Sequence, residues 1–590
     1  MEKNTEIENI RHSFAHLTNI AVRRLYPKAQ PAIGPTIENG FYQDFALPAE
    51  ALAKAGHFIT DADLPRIEQE MKAIASQNLA FKKELWSAKK AVAYFTKEKQ
   101  PYKVIIAKDL IKEKRLAKLG IMLTGDILVD LCRGGHVKNT KELPIDGFKL
   151  TRVAGAYWRG DEKNPMLTRV YGIAFETKKE LDQYLWQQEE AKKRDHKKLG
   201  QELDLFSFHE EGPGFVFWHP KGMLLRQALM SLHQELHKKA GYQEVSTPML
   251  LSEDLWKRSG HWDHYKDNMY FTKIDDRIFA IKPMNCPGTI LIYKVRPRSY
   301  RELPLKFAEA GEVHRHEPSG TLNGLFRVRA FRQDDTHIFT RPDQVEQEVS
   351  GVISLILEFY KIIGFQDVHV ELSTRPKKYI GSLAVWRKAE DTLKKILVSS
   401  NIDYKINEGD GAFYGPKIDF HIKDSLGRSW QLGTIQLDFA MPERFDVTYV
   451  DKDGKEKRPI IIHRTVIGSI QRFMGVLIEH YAGAFPLWLS PEQVWILPVS
   501  DKSLAFAKKI HGELLEKDKN LRVTVKEENE TLGKKIREGQ MQKIPYLVIV
   551  GEKEEQQGTI SVRDRQKGDL GQTTLEAFSA KMKQEIEEKK

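Results

Sequence analysis

Two histidines near the start of the chain have a spacing that could do chemistry. His12 and His16 lie four residues apart in "HSFAHLTNIAV", and a helix would place both on one face. Further along, "VDLCRGGH" places Cys132 four residues before His136. Thiolate and imidazole groups are common zinc ligands, and imidazoles also shuttle protons near neutral pH. The four residues therefore predict either a four-ligand zinc site or a hydrolytic pocket.

Spacing alone is weak support for such a site. His233 and His237 in "SLHQELHKK" have the same spacing, but no cysteine lies near them in the sequence, and we interpret them as ordinary helix residues. The association with Cys132 and His136 is what distinguishes the first pair.

A second set of polar residues lies in "LKFAEAGEVHRHEPSGTLNGLFRVRAFRQDDTHIF", which predicts two strands joined by a long loop. Arg315 and Glu317 follow the first strand, where a guanidinium can bind phosphate at two points and a carboxylate can accept from an amino group. The second strand places Gln333, Asp335 and His337 on one face, because strand side chains alternate. Three polar residues on one face predict a pocket.

Composition limits the class of protein. The 590 residues carry a net charge of +11, which favours a polyanionic partner. No apolar window approaches the roughly 18 residues of a membrane span, so no membrane association is expected. The N-terminus does not resemble a signal peptide. Only two cysteines occur, which indicates a reducing compartment, and we predict a cytoplasmic location.

Changes in pattern along the chain predict several domains. Residues 1–185 read as a mixed α+β domain with short strands such as "YKVIIA" and "DILVDL", and residues 186–204 as a charged helical linker. Residues 205–489 contain strands joined by short turns, which favour a largely antiparallel sheet with helices packed against it. Residues 490–590 alternate strand and helix, as is typical of a small α/β domain.

The polar motifs resemble a known family. "GEVHRHEPSG" followed by "RVRAFRQDDTHIF" is similar to the second signature of class II aminoacyl-tRNA synthetases, in particular the threonyl enzymes, and the resemblance continues through "IKPMNCPG", "AFYGPKIDF" and "IIHRTVIGSIQRFMGVLIEHYAG". It implies an α+β multidomain chain with an antiparallel class II catalytic core. That core would be flanked by an N-terminal α+β editing domain and a C-terminal α/β anticodon-binding domain.

The resemblance also implies an activity, ATP-dependent attachment of L-threonine to tRNA(Thr) through a threonyl-adenylate. Arg315 would bind the α-phosphate and the threonine carboxylate, Arg472 the γ-phosphate, and Glu317 the adenine end, with Mg²⁺ accompanying ATP. Other residues of this site align with positions around the amino acid and adenylate: Gln333 and Lys417 in the catalytic set, and Asp335, Tyr414, Gln431, Gln436 and Ser469 in the substrate-binding set.

One zinc ion per subunit is implied by the same resemblance, with Cys286, His337 and His463 as ligands. Three protein ligands leave one position open for substrate. The threonine hydroxyl could then bind the metal, whereas valine, which has nearly the same shape, could not. Apolar pockets separate such isosteres by only on the order of 10²-fold.

Serine also has a hydroxyl, so the same family corrects seryl-tRNA(Thr) by hydrolysis. The implied editing residues are His12, His16, Lys103, Asp130, Cys132 and His136. In alanyl enzymes the equivalent quartet binds zinc, whereas in bacterial threonyl enzymes it lines a hydrolytic pocket without a stable metal.

For the C-terminal domain, the resemblance implies that Asn529, Glu554 and Arg563 read anticodon bases. It also implies a homodimer through the catalytic domain. Many bacterial members begin with a ubiquitin-like module that has no counterpart here, so we expect a bacterial type lacking it. The alternatives are another class II synthetase, such as the prolyl enzyme, and an RNA-binding regulator that has lost catalysis.

Overall fold

The protein is described by a computed structural model that covers residues 5–47, 59–114, 116–424 and 426–590. Contacts divide the chain into an N-terminal unit, Met1–Glu189, and a C-terminal unit, Glu190–Lys590. Among the described residues, no helix is long and apolar enough to span a membrane.

The N-terminal unit combines two antiparallel sheets with helices, as an α+β domain should. One sheet has the order β1-β3-β8-β7, with β2 paired to β3, and the other has the order β4-β5-β6. The strands are β1 Gln30–Pro31, β2 Thr36–Ile37, β3 Gly40–Ala46, β4 Phe81–Ser87, β5 Lys118–Thr124, β6 Leu128–Leu131, β7 Phe148–Tyr157 and β8 Met166–Ala174. The helices are α1 Glu6–Leu25, α2 Leu64–Ala75, α3 Ala88–Lys97 and α4 Pro101–Lys114.

The predicted strand "YKVIIA" is wrong, because this segment forms the first half of α4. Its β-branched residues favour a strand locally, but the apolar contacts extend beyond the segment with helical spacing. Val104, Ala107 and Leu110 pack in the cluster that also contains Phe95 of α3. A six-residue window is too short to distinguish a period of two from one of 3.6.

The predicted charged linker is helical but interrupted. Helix α5 spans Lys178–Arg194 and α6 spans His196–Glu202. Asp195 separates them and caps α6, because its carboxylate accepts hydrogen bonds from the backbone N–H groups of Lys197 and Lys198. Short polar side chains favour such caps.

The core of the C-terminal unit is an eight-stranded sheet in the order β11-β15-β16-β23-β20-β19-β17-β18. All pairs are antiparallel except β11 with β15 and β17 with β18, which confirms a largely antiparallel sheet. These strands are β11 Gln243–Glu244, β15 Leu305–His314, β16 Ala330–Thr340, β17 Val368–Ser373, β18 Tyr404–Asn407, β19 Lys417–Lys423, β20 Ser429–Asp438 and β23 Ile460–Thr465.

Helices and shorter strands surround this sheet. The helices are α7 Pro220–Lys239, α8 Glu253–Ser259, α9 His261–Tyr265, α10 Cys286–Tyr293, α11 Val345–Ile363, α12 Leu383–Ser399, α13 Ala440–Arg444 and α14 Ile470–His480. The strands are β9 Phe206–Ser207, β10 Phe217–Trp218, β12 Leu250–Ser252, β13 Tyr270–Ile274, β14 Arg277–Ile281, β21 Tyr449–Val450 and β22 Glu456–Lys457.

The last part of the C-terminal unit contains a five-stranded sheet in the order β25-β24-β26-β27-β28. Its strands are β24 Val494–Pro498, β25 Val523–Val525, β26 Tyr546–Val550, β27 Ile560–Asp564 and β28 Gly568–Thr573, and its helices are α15 Leu504–Lys517, α16 Leu532–Met541, α17 Glu552–Gln557 and α18 Leu575–Glu587. The first three strands in this order are parallel. Strand–helix alternation in the sequence therefore predicted this part correctly.

Candidate active sites

A cavity of about 410 Å³ lies on one face of the eight-stranded sheet. We call it the catalytic cavity. It is lined by ten of the residues that the sequence predicted for this site: Cys286, Arg315, Gln333, Asp335, Tyr414, Gln431, Gln436, His463, Ser469 and Arg472. Alternation along β16 explains why Gln333 and Asp335 both face it.

Two arginines line the catalytic cavity from different elements. Arg315 follows β15 and donates through Nε to the carbonyl oxygen of Pro283 at 3.3 Å. Arg472 lies in the first turn of α14 and donates through Nε to the carbonyl of Phe326 at 3.1 Å. Burial lowers the pKa of Arg472, and the positive charge of Arg315 lowers it further. Two like charges facing one cavity form a binding site for a polyanion.

A Cys–His trio consists of Cys286, His337 and His463, whose potential ligand atoms all lie within 4.8 Å of one another. Cys286 is the first residue of α10, and the histidines are directly paired between β16 and β23. A helix N-terminus favours a thiolate, so the fold places three groups of suitable chemistry together.

The surroundings of the trio fit a metal ion. His337 is fully buried, and neither of its ring nitrogens has a hydrogen-bond partner. Buried polar atoms are normally satisfied, and a metal would satisfy one of these. His463 contacts Asp438 through Nε2 at 2.8 Å, which is the carboxylate–histidine arrangement common in zinc sites. Three ligands from cysteine and histidine suit zinc with one open position.

Burial shapes the protonation of this region. It raises the pKa of the Cys286 thiol, and the carboxylates of Asp335 and Asp438 raise it further. Burial also raises the pKa of Asp335 to about 6. Metal binding to the thiol therefore requires release of a proton.

Three predicted residues do not line the catalytic cavity. His337 lies beneath it, fully buried. Glu317 accepts from Arg327 at 3.0 Å, beside the β15–β16 loop. Lys417 is held by two carboxylates, Asp419 at 2.6 Å and Asp410 at 3.0 Å. Lys417 therefore faces neighbouring acids in this structure.

Sequence reasoning missed several lining residues. Tyr265 and Phe331 lie under the guanidinium of Arg315, with ring centroids 5.5 and 5.1 Å from Cζ. Asp438, the partner of His463, was also missed. Only Phe331, two residues before Gln333 on the pocket face of β16, carried a sequence signal.

The four residues of the first prediction also meet in the structure. We call His12, His16, Cys132 and His136 the His–Cys cluster. Their potential ligand atoms lie within 4.8 Å of one another, although 116 residues separate His16 and Cys132 in the sequence. The Sγ atom of Cys132 lies 3.2 Å from Nε2 of His136 and 3.5 Å from Nε2 of His12.

A large cavity of about 770 Å³ opens beside this cluster. His12, His16 and Cys132 line it together with Lys103 and Asp130. Lys103 and Asp130 are both buried and form an ion pair. All six predicted editing residues therefore belong to one neighbourhood, because His136 contacts Cys132.

The four residues of the His–Cys cluster are uncharged, in contrast to the neighbouring Lys103–Asp130 ion pair. Burial lowers the pKa of His136, and its histidine neighbours lower it further. Burial likewise lowers the pKa of His12 and of His16. It raises the pKa of Cys132 to about 11, and the Asp130 carboxylate adds to this shift. Neutral imidazoles can act as bases, whereas a protonated thiol is a poor nucleophile.

Ser13 fixes the tautomer of His136 and was not predicted. Its hydroxyl donates to the carbonyl of Asn9 at 2.8 Å and lies 3.1 Å from Nδ1 of His136. The hydroxyl proton is thus used, so Nδ1 of His136 must donate. The lone pair of Nε2 is then directed at Cys132.

The predicted anticodon residues lie in and around the five-stranded C-terminal sheet. Asn529 lies in the loop after β25, and Glu554 in α17, where it accepts from the Ser561 hydroxyl at 2.9 Å. Arg563 lies in β27, paired with Leu547. The strands β25 and β26 run parallel to the strand between them, so Asn529 and Glu554 follow the same edge of the sheet.

Comparisons with protein-family models match three parts of the chain. Residues 270–481 match the tRNA synthetase class II core domain (G, H, P, S and T), and residues 493–585 match the anticodon binding domain. Residues 121–171 match the threonyl and alanyl tRNA synthetase second additional domain. The core match contains the ten predicted residues that line the catalytic cavity, and the third match contains Cys132 and His136.

Similar proteins extend over almost the whole sequence. A threonine--tRNA ligase from Carboxydothermus hydrogenoformans is 54% identical over 98% of this chain and 89% of its own length. A threonine--tRNA ligase from Acetivibrio thermocellus is 53% identical, covering 98% of this chain and 88% of its own length. A solved structure described as the RNA binding domain of threonyl-tRNA synthetase from Cryptosporidium parvum has a TM-score of 0.64 and 40% identity, covering 66% of this chain and 98% of that one. The chain therefore belongs to the threonyl-tRNA synthetase family of class II aminoacyl-tRNA synthetases.

Proposed function

We propose that the chain joins L-threonine to tRNA(Thr) at the expense of ATP and hydrolyses seryl-tRNA(Thr) formed in error. The observation that carries the synthetic activity is the meeting of two arginines and a Cys–His trio at one cavity. The cavity thus combines a binding site for a polyanion with ligands for a metal ion that would bind the substrate hydroxyl group.

In the catalytic cavity, Arg315 binds the α-phosphate of ATP and the threonine carboxylate, and Arg472 binds the γ-phosphate. The carboxylate attacks the α-phosphate, and pyrophosphate leaves; Mg²⁺ bound to ATP would neutralise part of the phosphate charge. Because ATP is highly charged, the contribution of the arginines is positioning and neutralisation of charge. Gln333, Gln431 and Gln436 provide amide groups to orient the substrates.

Cys286, His337 and His463 would hold one zinc ion per subunit. When bound, the ion supplies a Lewis-acid position that accepts the amino and hydroxyl groups of threonine but not the methyl group of valine. Tyr414 donates to Gln436 at 2.5 Å, which fixes both side chains beside His463. Asp335 faces the same space and can accept from the substrate amino group.

Seryl-tRNA hydrolysis is assigned to the His–Cys cluster. Serine lacks only one methyl group, worth roughly 1–3 kcal/mol of discrimination, so the first site cannot reject it adequately. Neutral His12, which lines the cavity together with the Lys103–Asp130 pair, can accept a proton from water. A metal at this cluster is the alternative, because the ligand geometry permits it.

Binding of tRNA(Thr) is assigned in part to residues 490–590, with Asn529, Glu554 and Arg563 reading unstacked anticodon bases. We also propose the domain boundaries 1–185, 186–204, 205–489 and 490–590, a homodimer through the catalytic domain, and a cytoplasmic location. Two buried free cysteines are compatible with a reducing compartment.

Pyrophosphate exchange into ATP tests the synthetic proposal. The chain should exchange with threonine, weakly with serine, and not with valine or proline. Proline-dependent exchange would assign a different synthetase activity, and no exchange with any amino acid would favour an RNA-binding protein without catalysis.

Metal analysis distinguishes the two candidate metal sites. We expect one zinc per chain, lost in Cys286→Ala and retained in the matched variant Cys132→Ala. Two zinc ions per chain, one of them lost with Cys132, would show that the His–Cys cluster is a metal site.

A further inference from the structure

Asp334 is a buried acid that faces away from the catalytic cavity. It lies on β16 between Gln333 and Asp335, which both line the cavity. Because strand side chains alternate, Asp334 points to the opposite side of the sheet. It is only 1% exposed, so its charge must be compensated by protein groups.

Three consecutive backbone N–H groups supply that compensation, together with the buried guanidinium of Arg464, 3.8 Å from Oδ2. Val466 donates to Oδ2 of Asp334 at 2.8 Å, Ile467 to both oxygens at 3.1 Å, and Gly468 to Oδ1 at 2.7 Å. A carboxylate surrounded by successive N–H groups fixes a turn strongly. Gly468 has a φ of +71°, and a Cβ there would lie 2.6 Å from the carbonyl oxygen of Leu432. The turn therefore needs both this glycine and this carboxylate.

Tyr360 of α11 holds the same turn from a second side. Its hydroxyl donates to the carbonyl of Val466 at 2.9 Å and accepts from the N–H of Gly433 at 2.7 Å. The ring is fully buried. Gly433 belongs to β20, the strand next to β23, so Tyr360 ties the turn to the sheet.

The turn leads directly into the helix that carries Arg472. Ser469 follows Gly468 and caps α14, because its hydroxyl accepts from the backbone N–H of Arg472 at 3.3 Å. The guanidinium of Arg472 is then anchored on Phe326. A shift of the turn would move the start of α14, and with it the arginine that faces the catalytic cavity.

Helix α7 completes this arrangement through the histidine pair that the sequence analysis set aside. Nε2 of His233 contacts Asp334 at 3.1 Å, and Nδ1 of His237 donates to the carbonyl of His233 at 2.7 Å. Nε2 of His237 faces the guanidinium of Arg464 at 2.5 Å. Although these histidines and Asp334 could group around a metal, Arg464 already occupies that space with a fixed positive charge. His233, His237 and Asp334 therefore stabilise the Val466–Gly468 turn rather than bind a metal.

We propose that Asp334 and Tyr360 are positioning residues for ATP, which act by clamping the Val466–Gly468 turn so that Arg472 faces the catalytic cavity. This inference rests on the proposed role of Arg472 in binding the γ-phosphate. Threonine is held by other groups, namely the Cys–His trio and the cavity face of β16. Loosening the turn should therefore affect ATP more than threonine.

Steady-state pyrophosphate exchange with Asp334→Asn, Tyr360→Phe and the control Glu348→Gln tests the proposal. Glu348 is another buried acid of the same unit, 7% exposed and paired with Lys306 at 2.8 Å. For Asp334→Asn, kcat/KM for ATP should fall by on the order of tenfold to a hundredfold, the range for a lost charge-assisted hydrogen bond. For Tyr360→Phe the fall should be roughly threefold to tenfold. The KM for threonine and the zinc content should stay at wild-type values in both.

Parallel changes in the ATP and threonine parameters, proportional to the fall in melting temperature and matched by Glu348→Gln, would overturn the proposal. If Asp334→Asn does not fold, Tyr360→Phe decides alone, because it removes one hydroxyl from a helix that lines no part of the cavity. Failure of wild-type protein to exchange with threonine would instead refute the proposed function. An active wild type whose variants show no selective loss for ATP would refute the positioning role only.

Discussion

Replacing Lys103 by methionine removes the cation from a deeply buried ion pair of the N-terminal unit. Lys103 and Asp130 are each 3% exposed. Without Lys103, the Asp130 carboxylate keeps the N–H of Leu131 at 2.7 Å and the amide of Asn19 at 3.2 Å. Both remaining donors are neutral. Methionine matches lysine in length, so the change leaves no large cavity.

The expected decrease in the free energy of unfolding follows from the contacts that Asp130 keeps. Breaking a buried ion pair by removing one partner costs about 3–5 kcal/mol, because the other charge stays buried without compensation. Two neutral hydrogen bonds remain, so we expect the lower end of the range, about 3 kcal/mol. This free energy corresponds to roughly a 150-fold increase in the fraction of molecules in which this region is unfolded.

Native-state hydrogen exchange is the suitable assay, because a chain with several domains does not unfold in one step. Amide protection in β6, which carries Asp130, and in its paired neighbour β5 should fall by about that factor in Lys103→Met. Protection in β24 and β26 of the C-terminal unit serves as the internal control and should not change.

The double variant Lys103→Met/Asp130→Asn separates charge from packing. A neutral amide at position 130 needs no cation, so most of the lost protection should return if the ion pair is the cause. Unchanged protection in Lys103→Met would refute the reasoning. Equal loss in the single and double variants would show that packing of α4, rather than charge, is responsible.

Two further predictions concern the same unit. His12→Ala should reduce deacylation of seryl-tRNA(Thr) by about 10²–10⁴-fold, the usual contribution of a positioned base, while threonine-dependent pyrophosphate exchange is unchanged; undiminished deacylation would remove His12 from the site. The second concerns pH. Burial lowers the folded-state pKa of His12, His16 and His136. Below about pH 6.5 the unfolded state therefore binds more protons than the folded state. The contribution of these histidines to the free energy of unfolding is fully present above that pH and is lost as the pH decreases. Three such groups give at most about 4 kcal/mol per pH unit. In calorimetry from pH 7.5 to 5.5 with chelator present, the melting temperature of the transition that responds to His16→Gln should fall with pH, and less steeply in that variant; a pH-independent melting temperature would contradict neutral burial.

The elements that sequence reasoning predicted correctly are those in which the local pattern and the tertiary structure agree. The strands β15 and β16 pair along their whole length, and alternation along β16 was sufficient to place Gln333, Asp335 and His337 on one side of the sheet. Residues at every second position of a strand share one face, and in β16 that face borders the catalytic cavity. The same reasoning could not show that His337 lies below the cavity, because depth depends on neighbouring elements.

Lys103 illustrates the opposite case, in which local pattern misled. Within "YKVIIA" the β-branched residues predict a strand with an exposed lysine, whereas the structure buries Lys103 at the start of a helix. A buried lysine is stable only beside an acid, and its partner Asp130 lies 27 residues away on another element. Only the resemblance to known synthetases pointed to this residue, since no short window contains both charges.

Asp334 shows why positioning residues are harder to find than binding residues. In "FRQDDTHIF" the two adjacent aspartates have the same chemistry, and alternation separates them into one that faces the substrates and one that does not. Asp334, the aspartate that faces away from the substrates, is then interpreted as a core residue without a function. Besides His233 and Arg464, its partners are the backbone N–H groups of residues 466–468, and these leave no trace in side-chain chemistry. The sequence marks the turn only through Gly468, whose positive φ and close approach to Leu432 permit no side chain. The substrate-facing residues on one side of β16 are thus held in place by an acid on the other side, and only three-dimensional contacts connect the two.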